Sequence, residues 1–157
     1  MYSNSYSIRF LKKNSNLYTS IANAGFGASQ VLPLIVQALV SSKGSITVAE
    51  QPEIHLNPKL QCVLADLFVY MANSEQKAII ETHSEHLLLR LRRLIAEGKI
   101  KSEKVALYFI DKENGSSTIR EINIENDGHI KTNEWPKGFF EDSMYESMAL
   151  ATKQFNL

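Results

Sequence analysis

At 157 residues, with 44% hydrophobic and 22% charged content, the chain is long enough for a real core and too apolar to be disordered or collagen-like. Seventeen basic residues balance seventeen acidic ones, so no net field draws it to nucleic acid or to an anionic membrane, and charge gives no support for DNA contact. The single cysteine, Cys62, cannot form an internal disulfide and fits a reducing compartment as a small buried hydrophobe.

The first residues, Met1 to Ile8, lack the basic and apolar regions of a signal peptide. Tyr6, Ile8 and Phe10 alternate ahead of a polar turn at 12 to 16, which predicts a hairpin over residues 6 to 23. Asn23 to Gln30 reads as a glycine-rich loop, followed by a buried helix from Val31 to Val40 with Pro33 near its first turn. This apolar stretch is interrupted by Gln37 and is too short to span a bilayer, so the expected location is the cytoplasm, with no membrane partner.

A short apolar strand is expected over Ser45 to Ala49, and Asn57-Pro58 supplies an N-cap and first position for the next helix. In that helix Leu60, Val63, Leu64, Leu67, Phe68 and Met71 follow the spacing of one core-facing stripe. Lys77 to Thr82 reads as a second strand, and Thr82-x-x-Glu85 matches a capping box for a helix that buries Leu87, Leu91, Leu94 and Ile95 and ends at Gly98. Val105 to Ile110 reads as a third apolar strand. Apolar strands alternating with amphipathic helices predict an α/β fold, a mainly parallel sheet flanked by helices on both faces. Glu113-Asn-Gly115 and Asn126-Asp-Gly128 bracket a small antiparallel add-on, and a last helix from about Ser143 to Phe155 follows the aromatic segment Trp135 to Phe140.

Right-handed crossovers put the carboxyl ends of parallel strands on one edge, where ligands bind. Glu50, Gln51 and Glu53 are therefore expected beside Thr82, His83 and Ser84. A carboxylate at a strand end can hold Mg²⁺, a second acid or amide can orient water, and an imidazole can sense a γ-phosphate. The loop at 25 to 30 offers backbone N–H groups at a helix start, a cradle for anions. Each residue also has a structural reading: a solvated acid before proline for Glu50, a helix-start residue for His83 and His86, an ordinary turn for the glycines.

Other constellations are poorer. His83-Ser-Glu85 resembles the opening of a zinc deaminase signature, but one cysteine cannot complete it. His55, His83 and His86 lack sharp zinc-ligand spacing. Asn114-Gly-Ser116 fits a hairpin turn better than a glycosylation acceptor, and the arginines at 90, 92 and 93 fit a solvated helix face.

The order Gly-x-Gly-x-Ser-Gln, then strand with Glu-Gln-Pro-Glu-x-His-Leu-x-Pro, then strand with Thr-His-Ser resembles the C-terminal half of an ABC-class ATPase head, a P-loop NTPase fold. The similarity is to bacterial AAA-type ATPases grouped with RecF, SMC and OLD proteins, many of which serve DNA repair or phage defence. The motifs span about residues 23 to 93, and the tail with Trp-Pro-x-Gly-Phe-Phe resembles the C-terminal extension of one subgroup. By this resemblance Gly25, Gly27, Ser29 and Gln30 stand for the signature loop that caps ATP held by an opposite protomer. Glu50 falls on the Walker B carboxylate serving Mg²⁺, Gln51 on the usual catalytic glutamate, Ile54 to Asn57 on the D-loop, and His83 on the switch histidine.

The resemblance implies one partial ATPase-head domain over residues 1 to 157, with its site core at 23 to 112 and a hairpin and helix extension at 113 to 157. No G-x-x-x-x-G-K-[ST] phosphate loop occurs in the sequence, and such heads carry it N-terminal to the matched half. ATP and Mg²⁺ binding, and any hydrolysis, are thus expected only with a Walker A-bearing half, supplied by another polypeptide or a second protomer of a homo-oligomer. Loss of that half predicts exposed apolar surface around the Val31 to Val40 helix. Gln51 cannot act as a general base, which leaves Glu53 or another group to activate water, or makes the site a slow ATP-driven clamp. The alternative is a nucleotide-independent interaction or regulatory domain that keeps the half-fold without turnover.

Overall fold

A computed structural model describes residues 7–11, 13–113, 115–131 and 141–155; the aromatic segment Trp135 to Phe140 lies outside them. The chain divides into two compact units, Met1–Leu91 and Arg92–Leu157.

In the first unit, β1 (Arg9–Leu11) and β2 (Tyr18–Ser20) form the expected antiparallel hairpin, with Arg9 opposite Ser20 and Leu11 opposite Tyr18. A single 3₁₀ turn over Ile21–Asn23 leads to α1 (Phe26–Val40). This helix starts five residues before the predicted Val31, because Gly25 at φ 86° turns the chain directly into it. Pro33 consequently lies inside the helix, where it lacks the N–H that would bond the Ser29 carbonyl. Nor is α1 buried as its composition predicts: Ala38 is its one buried residue, and Val36, Leu39 and Val40 are exposed. The apolar surface expected around this helix is therefore present.

Strand β3 (Ile46–Glu50) pairs in parallel with β4 (Lys77–Glu81), Ile46 opposite Lys77 and Glu50 opposite Glu81. Between them α2 (Pro58–Asn73) provides the crossover, its first turn closed by the Asn57 side chain, which accepts from the Leu60 amide at 3.0 Å. Its buried residues are Leu64, Ala65, Val69 and Met71, whereas Leu60 and Val63 are exposed, so the core stripe is rotated from the predicted one. Buried Gln76, just before β4, donates to the carbonyls of Ala38 and Ser41, both at 3.0 Å, and so ties the end of α1 to the sheet.

Alternation along the strands buries Thr47 and leaves Ile46, Val48 and Ile79 exposed on the opposite face. Among the described residues the expected cover on both faces is thus found on one. Leu87 and Leu88 of α3 (Glu85–Ala96) are buried, and Arg90 is paired with Asp66 of α2 at 2.9 Å.

In the second unit β5 (Leu107–Glu113) pairs antiparallel with β6 (Ser116–Ile122), Leu107 opposite Ile122. The residues predicted as a third core strand are therefore one arm of a hairpin. Tyr108 and Ile110 are exposed, so here an apolar run records neither burial nor the direction of its neighbour. Parallel pairing among the described residues is confined to β3 and β4, and the other two sheets are antiparallel. Leu94, Ile95, Ile100, Ile122 and Ile130 are buried here, Arg92 Nε donates to the Gly128 carbonyl at 2.8 Å, and α4 (Glu141–Phe155) closes the described chain. Among the described residues no helix is long and apolar enough to cross a membrane.

Met71, with no solvent exposure, carries more core contact than Val48, which is 72% exposed. Met71→Ala is expected to lower unfolding free energy by about 2–5 kcal/mol, and Val48→Ala to change it by less than about 0.5 kcal/mol, as read from urea denaturation.

Candidate functional site

The register of β3 and β4 sets Glu50 directly beside Glu81 at the carboxyl edge of the parallel pair. The pairing runs one step past the strands, because the Gln51 amide donates to the Glu81 carbonyl at 2.9 Å. From there residues 51 to 57 fold into a tight double turn: the Ile54 amide donates to Gln51 at 3.1 Å and the Leu56 amide to Glu53 at 2.9 Å. Gln51 and His55 both adopt positive φ, 44° and 65°. The first lets the chain leave the sheet, and the second brings it back to the Asn57 cap.

The three acidic or amide candidates of this turn meet different surroundings. Glu50 is exposed at the strand tip, Gln51 is half-buried, and Glu53 is only 7% exposed. Glu53 Oε1 accepts the backbone amide of His83 at 2.8 Å, and its enclosed Oε2 accepts no hydrogen bond among the described residues. The His83 ring is 72% exposed and puts Nε2 3.2 Å from Glu81 Oε1. Thus Glu81, which sequence reasoning passed over as an ordinary strand residue, is the register partner of Glu50 and also meets the imidazole.

The cap of α3 also differs from the predicted one. Thr82 Oγ1 accepts from the Ser84 amide at 3.0 Å, and Ser84 Oγ accepts from the Leu87 amide at 3.0 Å, so Ser84 and not Thr82 holds the first turn. Two hydroxyls lie within reach of the helix start, and the chain path decides which one caps it. Ser84 Oγ in turn donates to Gln61 Oε1 at 2.6 Å, while Gln61 Nε2 donates to the Leu56 carbonyl at 2.9 Å. Gln61 was another omission; its one visible signal is an amide set among the apolar positions of α2.

Two clefts result. The smaller, about 260 Å³, is lined by Gln51, Glu53, Ile54, His55, Gln61, His83 and Ser84. The larger, about 580 Å³, runs between α1 and β3 and includes Gln30, Gln37, Glu50 and Gln51 with apolar walls such as Leu34 and Val48. Glu50 and His83 thus belong to adjoining clefts that share Gln51 and Ile54. Among the described residues no three His, Cys, Asp or Glu side chains are grouped so as to hold a metal ion.

The glycine-rich candidates sit at the start of α1. Gly25 is its N-cap, and Ser29 Oγ donates to the Phe26 carbonyl at 2.7 Å and so is engaged within the helix. Of the four, Gln30 lines the larger cleft. Gly27 lies against the double turn: a Cβ there would come within 2.7 Å of the His55 carbonyl oxygen and 2.9 Å of Leu56 Cδ2. The His55 ring meets Phe26 edge-on at 4.9 Å. The start of α1 and the turn after β3 are therefore in direct contact.

Gly27→Ala is expected to cost about 1–3 kcal/mol by forcing backbone apart, and Gly25→Ala, with open space around it, about 1–3 kcal/mol because φ 86° with ψ 151° is a backbone region that glycine alone adopts readily. Thermal unfolding reports both, and only the first should also broaden or move amide resonances of His55 and Leu56.

A family model described as AAA ATPase domain matches residues 2–88. A second, described as Protein of unknown function (DUF3696), matches residues 100–150. No curated protein matches the chain.

Proposed function

Because the chain belongs to the AAA ATPase domain family, we propose that it contributes one part of a composite MgATP site, completed by a segment that carries a Walker A phosphate loop. The observation that carries this reading is the shared edge of β3 and β4, where the register sets Glu50 opposite Glu81 and the His83 ring lies 3.2 Å from Glu81, with Glu50 and His83 lining adjoining clefts. In this reading Glu50 is the Walker B carboxylate, His83 the switch histidine facing the γ-phosphate, and Gly25, Gly27, Ser29 and Gln30 the signature segment presented to the nucleotide of an opposite protomer. The order of these motifs supports membership of the class grouped with RecF, SMC and OLD proteins; a role in DNA repair or phage defence follows only from the company of that class.

The donor chemistry fits Mg²⁺. Glu50 offers an exposed hard oxygen ligand at a strand tip, and Mg²⁺ is held through one or two carboxylates with phosphate and water oxygens making up the remainder. Bound MgATP supplies a phosphoryl group whose charge is neutralised by the metal. The chain's own tasks are to present Glu50, to hold the His83 ring at the cleft rim, and to place the Gln51 side-chain carboxamide where water would be oriented. An amide orients water without removing its proton, which makes turnover slow.

The partner requirement has its own support. A two-stranded sheet is marginal alone, and the exposed face of this one carries Ile46, Val48 and Ile79, while Val36, Leu39 and Val40 of α1 are exposed as well. This face is also what supports the second reading, a nucleotide-independent interaction domain.

Equilibrium binding of MgATP to the chain mixed with a Walker A-bearing half distinguishes the two. Glu50→Gln and His83→Ala are each expected to weaken binding tenfold or more, in line with the loss of about 1.5–3 kcal/mol for a charge-assisted contact. Binding that ignores both substitutions, or no binding in any combination, removes the ATP-site reading. In the same assembly Gln51→Glu is expected to raise the hydrolysis rate about a hundredfold or more, measured as phosphate release.

A further inference from the structure

Glu53 is a carboxylate in an unusual position: it lies within the double turn, almost wholly enclosed, with one oxygen bonded to the amide of His83 and the other without a donor among the described residues. Enclosing a carboxylate with an unanswered oxygen is unfavourable, and the compensating interaction here is a bond of 2.8 Å to a backbone N–H thirty residues away. Bonds to an ionised acceptor are roughly twice as strong as neutral ones. A general base needs a free oxygen facing the attacking water. Glu53 has neither oxygen so disposed, since Oε1 is taken by His83 and Oε2 is enclosed.

We propose that Glu53 is a positioning residue that fixes the His83-bearing loop to the turn after β3, and is not the water-activating base. Its consequence for catalysis rests on the MgATP reading given above, whereas the attachment itself does not. The geometry has a second strut. Gln61 joins the Leu56 carbonyl to Ser84 Oγ, and Ser84 also caps α3. The loop of residues 82 to 84 is thus fastened to the 51 to 57 turn at two points, His83 through Glu53 and Ser84 through Gln61. The first leaves the imidazole outside, on Glu81. Because Ser84 stays anchored when Glu53 is changed, loss of Glu53 frees His83 without opening the helix that follows.

Amide hydrogen exchange of the full chain, with ¹H–¹⁵N spectra of ¹⁵N-labelled protein, tests this without nucleotide. Glu53→Ala is expected to speed exchange at His83 about tenfold or more, as loss of a charge-assisted bond requires, while Leu87 and Leu88 keep their parent rates. Glu53→Gln retains an acceptor oxygen and is expected to restore His83 protection to within a few-fold of the parent, at about the level of one neutral bond. Unchanged His83 exchange in Glu53→Ala, or equal loss in both variants, overturns the proposal. Should Glu53→Ala disturb the whole spectrum, Glu53→Gln against the parent decides: retained His83 protection supports the attachment, and its loss refutes it. In a competent assembly Glu53→Gln should still hydrolyse ATP; abolished turnover with His83 still protected would make Glu53 the base and also overturns the proposal. Failure of every assembly to bind MgATP would sink the site reading alone and leave the exchange result standing.

Discussion

Parallel pairing of β3 with β4 is the constraint from which the rest of the first unit follows. Parallel strands need a crossover, here α2, and a crossover returns the chain so that both strands end on the same edge. Two loops that are thirty residues apart in sequence are thereby delivered to one place. Once the register sets Glu50 beside Glu81, the next residue continues the ladder through the Gln51 amide, and the turn that follows can reach the loop after β4.

The turn of residues 51 to 57 then acts as the meeting point of three segments. It holds the loop after β4 through Glu53 and Gln61, starts α2 through Asn57, and accepts the first turn of α1 against His55 and Leu56, where only a glycine at position 27 fits. Most of these fastenings are backbone groups held by side chains and not side chains held by one another. That leaves Glu50, His83 and Gln30 exposed, while Glu53, Leu56 and Ser84 are buried.

Much of this was legible in the sequence where local chemistry and periodicity agree. β3, α2 with its Asn57-Pro58 start, β4 and the first hairpin follow from apolar patterning and turn residues. The start of α1 was not, because Gly25-Phe-Gly27 reads as loop chemistry, yet Gly27 is chosen for its neighbour at His55 and not for its own backbone angle. The partner of β5 was not legible either, since an apolar run carries no record of strand direction. In the site, Glu50 and His83 stood out because strand-end acids and imidazoles have recognisable chemistry. Glu81 and Gln61 did not, since each acquires a role only through a neighbour distant in sequence. Burial of Glu53 was equally hidden: three residues from Glu50, it points into the protein while Glu50 points out.

The left-handed angles at Gln51 and His55 carry a further implication. Neither residue is glycine, and each such angle runs against local preference by about 1–2 kcal/mol. The double turn is therefore a loaded spring, kept wound by bonds to groups outside it. Were those latches released, this short piece of backbone would relax by itself while the strands beneath stayed paired. A protein so built can lose its working edge by slackening, well before it melts.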